Sequence, residues 1–201
     1  FAVVSLMGWP YAVLLPVFAG QVLHGGAHTL GWLTGASGVG ALVSAMSLAV
    51  RKSVVGLTRM IQISAAMFGA GLILFGLSHV LWLSLVLMLF VGFGMMQCAA
   101  AVNTVIQSLV TEDKRARVMS YYTMAFVGTA PFGSLLAGFL AHKIGAPHTV
   151  MITGAFCVVG AAWFTFWLPA VNREMLPVYA ENGLIPASDD ADLCVEESST
   201  V

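Results

Sequence analysis

Six stretches of this chain are each long enough to cross a bilayer and contain no Asp, Glu, Lys or Arg. They cover about residues 1–22, 31–50, 60–78, 82–110, 118–141 and 149–168. A hydrocarbon core about 30 Å thick needs about 20 apolar residues in helical form. Inside lipid no water can pair with a bare backbone N–H or C=O, so only helices and closed barrels can span it. Barrel strands alternate polar and apolar residues, whereas these runs are apolar throughout. The expected fold is an all-α membrane protein, with a bundle of six transmembrane helices over residues 1–168.

Composition removes several other classes. The chain is 59% hydrophobic and 8% charged, against about 45–50% and about 25% in soluble domains. A water-soluble enzyme is excluded. A net charge of −1 with no long basic stripe gives no purchase on a phosphate backbone, so no nucleic-acid partner is expected. Cys98, Cys157 and Cys194 are far apart and do not read as a disulfide framework. Phe1 already stands inside an apolar run, with no charged leader or cleavage site, so the start is not a signal peptide. The expectation is a fragment with its N-terminal part missing.

The polar breaks carry the orientation. Arg51, Lys52 and Arg59 separate the second and third spans, Lys114, Arg115 and Arg117 separate the fourth and fifth, and Arg173 follows the sixth. Only Lys143 lies in a break of the other parity. Basic loops stay inside, which puts these breaks and the C-terminus in the cytoplasm. Residues 169–201 hold Glu174, Glu181, Asp189, Asp190, Asp192, Glu196 and Glu197 against Arg173 alone. Such a segment reads as an acidic, disordered cytoplasmic tail.

The second and fifth spans match at an offset of 93: Gly35 with Gly128, Gly40 with Gly133, Leu42 with Leu135, and small residues at 41/134, 44/137 and 45/138. Two copies of a three-helix unit follow, and an odd helix count inverts the second copy in the membrane. Inverted repeats are a mark of secondary transporters. Small residues also recur in any membrane helix that packs closely. In the fifth span Ala130, Ser134 and Gly138 make one small-residue face. Pro131 removes a backbone donor and should bend that span.

No Asp, Glu, Lys or Arg lies well inside a span, so no proton-carrying carboxylate is on view. Neutral polar residues remain. Gln97, Thr104 and Ser108 share a stripe of the fourth span, and Asn103 and Gln107 form an i, i+4 pair on the adjoining face. They suit either a cavity or bonds between helices. Thr111 can cap the fifth span, with Glu112 and Asp113 on its positive end. Lys114, Arg115 and Arg117 suit a charge latch or lipid headgroups. The five histidines, His24, His28, His79, His142 and His148, all fall in the outer breaks, with no acid or cysteine near to complete a metal site. No cofactor is expected: there is no phosphate-binding Gly-x-x-x-x-Gly-Lys-Ser/Thr loop. The helices hold no His-Glu-x-x-His, no Gly-x-Ser-x-Gly and no carboxylate pair, so a membrane-embedded enzyme is not expected either.

Ala101 to Gln107, Arg115 to Ser120 and Gly128 to Ser134 resemble the major facilitator superfamily, and within it the bacterial transmembrane secretion effectors, which include siderophore exporters. The resemblance covers about residues 1–170 as the C-terminal six of twelve helices. Gly128-x-x-Pro131-x-Gly133-Ser134 is similar to that family's Gly-Pro antiporter motif. Ala116 stands where the branch often has Gly, and the loop from Arg51 to Arg59 lacks the acid of the family's cytoplasmic-gate motif.

The resemblance implies half of a secondary, proton-coupled exporter of small amphipathic solutes in the bacterial inner membrane. It further implies an N-terminal six-helix half as partner, with the coupling residue in that half. The first and fourth helices of each half line the family's cavity. That makes Trp9, Tyr11, Gln97, Asn103 and Gln107 cavity candidates. Arg115, Arg117, Gly128, Pro131, Gly133, Ser134 and Gly138 are then gate and helix-packing candidates. The competing reading is a non-transporting half-protein that binds or regulates a partner through its acidic tail.

Overall fold

A computed structural model describes residues 6, 8, 10–50, 57–110 and 112–181. Helices follow the apolar runs, and no strand occurs among the described residues. They are α1 (Tyr11–Val17), α2 (Ala27–Ala49), α3 (Leu57–Leu77), α4 (Leu81–Leu109), α5 (Glu112–Val127), α6 (Ala130–Ile144) and α7 (Ala146–Glu181). Five stretches are long and apolar enough to cross a membrane: Ala27–Val50, Leu57–Leu77, Leu81–Ser108, Lys114–Ile144 and Ala146–Phe166. A shorter apolar helix covers Tyr11–Val22.

Local chemistry explains how the elements join. Pro16 lies inside α1 and has no N–H for the ladder. The helix then widens into a π turn over Phe18–Val22, where Leu23 N–H reaches back to the Phe18 carbonyl at 3.1 Å. Between α3 and α4, Ser84 Oγ donates to Ser78 Oγ (3.0 Å) and Ser78 Oγ donates to the Val80 carbonyl (3.2 Å). This buried pair satisfies a turn that would otherwise bare its polar groups. Gly145 alone separates α6 from α7, with φ at 86°, a region that L side chains rarely adopt.

The fifth span, expected as one helix over 118–141, is broken. Pro131 cannot donate to the carbonyl of Val127, four residues back, and its ring crowds that carbonyl. The helix stops at Val127, turns through Gly128 and Thr129, and restarts at Ala130 with proline in its first turn. At Gly128 an added Cβ would collide with the Met124 carbonyl oxygen, so the turn needs glycine.

The last helix also differs from expectation. It continues to Glu181, past the expected end at 168 and through Pro169 and Pro177. No glycine stands between Ala161 and Asn182 to end it. The acidic residues from 189 onward lie outside the described residues.

Packing is uneven. The extensive pairings are α3 with α7, α2 with α4, and α3 with α4. α6 touches α7 and α1 more lightly, and α5 meets α4 to a small extent. The core holds Phe18, Leu33, Phe68, Leu72, Phe75, Met88, Val91 and Val150. Phe18 stacks on Phe75 at 4.3 Å, and Tyr11 meets Phe68 edge-on at 6.0 Å. α3 and α7 approach through reciprocal glycines: a Cβ at Gly69 would stand 2.7 Å from the Gly154 carbonyl oxygen, and one at Gly154 equally close to that of Gly69. Gly154→Leu should therefore lower stability by about 1–3 kcal/mol, the usual range for overpacking. Val159→Ala, on the open side of α7, should stay within about 0.5 kcal/mol. Thermal unfolding in detergent reads both.

Candidate functional site

Of the described cavity candidates, Gln97 is the most deeply placed, at 1% exposure. Its carbonyl oxygen accepts from Ser44 Oγ (2.6 Å) and Ser47 Oγ (3.2 Å), both on α2. Its amide nitrogen donates to the Met60 sulfur on α3 at 3.2 Å. One side chain thus ties α2, α3 and α4 together, and in this conformation it is committed to helix packing rather than turned to a cavity. Ser44 was legible as a small residue of the repeat, but nothing in its spacing named Gln97 as its partner. Gln62, also buried on α3, has an amide nitrogen with no hydrogen-bond partner.

Asn103 and Gln107 form a second polar group nearer the end of α4. Gln107 Nε2 donates to Asn103 Oδ1 at 2.9 Å; Gln107 is exposed and Asn103 half-buried. α5 reaches this face twice. Tyr122 OH donates to the Ala99 carbonyl at 3.1 Å, using its second lone pair. Arg115 Nη2 donates to the Gln107 carbonyl at 3.3 Å. That carbonyl lies in the last turn of α4, where no intrahelical partner exists and a cation is favoured. Ala99, Asn103 and Gln107 recur every four residues, so Asn103 lies between the two α5 contacts. The sequence offered Arg115 as a charge latch but gave no sign that Tyr122 would bond to α4.

Tyr11 OH and Ser37 Oγ are 3.3 Å apart, linking α1 to α2. Trp9, the remaining cavity candidate, lies outside the described residues, as do Thr111, Arg51 and Lys52. Arg59, Lys114, Arg115 and Arg117 are all exposed at one end of the bundle, while Lys143 stands at the other, 4.7 Å over the Phe139 ring. No group of three metal-ligating side chains occurs among the described residues.

The small-residue face expected along Ala130, Ser134 and Gly138 is half-buried at its first two positions and open at the third. Gly138 and Pro131 are exposed, and a Cβ at Gly138 would meet nothing within 4 Å. The buried stripe is Gly133 and Ala137, one position round the helix, with Ala141 packed beside it. At Gly133 a Cβ would collide with the Leu6 carbonyl oxygen and lie 2.9 Å from the Pro10 ring. Gly40 has matching surroundings: its Cβ would collide with the Leu89 carbonyl oxygen and lie 2.9 Å from the Phe93 nitrogen. Each glycine meets a residue and the one four further on in a neighbouring helix. Ser44 and Ala137, a turn along, are both buried. Leu42 and Leu135 both face outward, at 62% and 73% exposure.

Polar side chains at membrane depth, none of them charged among the described residues, and outward apolar faces define a multi-pass helical membrane protein without a visible acid–base or metal centre. The family described as transmembrane secretion effector matches residues 2–186, and the chain belongs to it. This is a transporter branch of the major facilitator type. No curated protein and no solved structure matches the chain.

The Gln97 node generates a quantitative expectation. A double-mutant cycle pairing Gln97→Ala with Ser44→Ala should give a coupling of about 0.6 kcal/mol and no more than about 1.7, the range for hydrogen bonds between membrane helices.

Proposed function

We propose that the chain forms the C-terminal six-helix half of a secondary exporter that moves small amphipathic molecules by alternating access. Membership of a transmembrane secretion effector family supports transport. The observation that carries the architecture is the paired environment of Gly40 and Gly133. Residues 93 apart share their burial and meet their neighbours through the same i, i+4 pattern. A two-fold relation in the membrane plane, exchanging the first three spans with the last three, accounts for this, and inverted repeats of that kind frame transporter sites at the midplane.

The partner half finds its place on the open small-residue faces. Gly31, Gly35 and Gly38 of α2 and Gly138 of α6 have nothing within 4 Å of an added Cβ. Such faces let a further helix approach closely and be held by dispersion. The cavity between halves would be lined by Tyr11 and the Asn103–Gln107 pair, which offer hydrogen bonds and aromatic surface to a neutral or amphipathic solute. The described residues within the spans bear no carboxylate, so proton coupling on this reading uses an acid of the other half. The basic end faces the cytoplasm of a bacterial inner membrane, with the C-terminus on the same side.

The test is dye and siderophore accumulation in cells expressing the encoded protein. Asn103→Ala with Gln107→Ala should raise accumulation toward that of cells lacking the protein, with its membrane level unchanged. Unchanged accumulation would remove the amide pair from the solute path. Labelling of Arg115→Cys from outside the cell would overturn the orientation.

A further inference from the structure

Two prolines, Pro10 and Pro16, interrupt the first span, and each withholds an N–H from the carbonyl four residues back. The two freed carbonyls meet different fates. That of Leu6, left by Pro10, lies against α6, where an added Cβ at Gly133 would collide with it. Only a hydrogen of Gly133 fits there, and a Cα–H is a weak donor to a carbonyl. That of Ala12, left by Pro16, has no such cover. Ala12 and Pro16 are exposed, and no side chain among the described residues donates to Ala12.

The rest of that side of α1 is open too. Val13 and Val17 are exposed, as are Gly20 and Gln21 of the π turn, and a Cβ at Gly20 would meet nothing within 4 Å. Leu14, Leu15, Phe18 and Ala19 are buried on the other side. A carbonyl freed at mid-span is tolerated where water, protein or another polar group answers it, not against lipid tails. π turns, likewise, gather at functional positions.

We propose that this side of α1 binds neutral or cationic amphiphiles, with the Ala12 carbonyl accepting a hydrogen bond from an N–H or O–H of the solute. Val13 and Val17 flank the carbonyl with apolar surface, Gly20 leaves room for a bulky body, and Gln21 adds a second hydrogen-bonding group toward the outer end. Neither α1 nor α2 contains Lys or Arg, so an anion finds no charge partner on them, whereas a bare carbonyl oxygen favours a charged donor. The purpose of the site rests on the transport reading; binding to it does not.

Pro16→Ala returns an N–H to the Ala12 carbonyl and suits a helix better than proline, so the fold survives it. The purified encoded protein is titrated by fluorescence anisotropy with two cations, a rhodamine ester with free amino groups and its fully N-methylated counterpart. Pro16→Ala should weaken binding of the first about fivefold, as for the loss of one ordinary hydrogen bond, and leave the second unchanged. Gly20→Leu, which fills open space, should weaken both. An equal effect of Pro16→Ala on the two dyes, no effect on either, or no binding of either by the unaltered protein would overturn the site. Cysteine labelling reads the surroundings in a protein carrying Cys194→Ser, the native Cys98 and Cys157 being buried. Val13→Cys should react with a membrane-impermeant maleimide, while Val159→Cys, exposed at the middle of the α7 span, should not. Equal rates at the two positions would put this side of α1 in lipid and overturn the proposal. Dyes that bind as stated yet are not expelled from cells support the site while defeating the transport reading.

Discussion

Helices in lipid gain nothing from hiding apolar surface against each other, because the solvent is as apolar as they are. What holds them is close contact, dispersion and a few hydrogen bonds. The strongly paired helices of this bundle approach where side chains are missing or minimal: Gly40 against Leu89 and Phe93, Gly69 against Gly154. Dispersion falls off within an ångström of the optimum, so contact is won by removing atoms rather than adding them. The same rule explains the weak places. α5 has no glycine within Glu112–Val127, presents Tyr121 and Met124 outward, and makes little contact with any neighbour.

Polar groups are spent sparingly and together. Gln97 satisfies its carbonyl with two serines and its amide with a sulfur, a weak acceptor. A single amide joining three helices at one level fixes their relative rotation, which dispersion between smooth surfaces does poorly. Near the end of α4, Asn103 and Gln107 bond each other along one helix instead of bridging to another. The two groups stand ten residues apart or less on the same helix, yet one is structural and the other remains available.

Much of this was legible in the residues, for physical reasons. Length and apolarity announce a membrane helix because lipid permits no alternative, and Pro131 announced a disturbance because it cannot donate. Which side of a helix packs was not legible. Ala130, Ser134 and Gly138 are as small as Gly133, Ala137 and Ala141, and only the neighbour's position decides between stripes one residue apart. The fate of Gln97 was hidden likewise, since its partners lie about fifty residues away on α2. Tyr122 gave no signal, as its acceptor is a backbone carbonyl and could have been any residue type.

Gly145 has a mechanical consequence. One residue joins α6 to α7, and with planar peptides on either side only its two torsions can relax. Those two torsions set the angle at which α6 leaves α7, and α7 meets α3 closely at Gly69 and Gly154. The shortest possible joint thus tethers a lightly packed helix to one of the most extensively paired helices of the bundle.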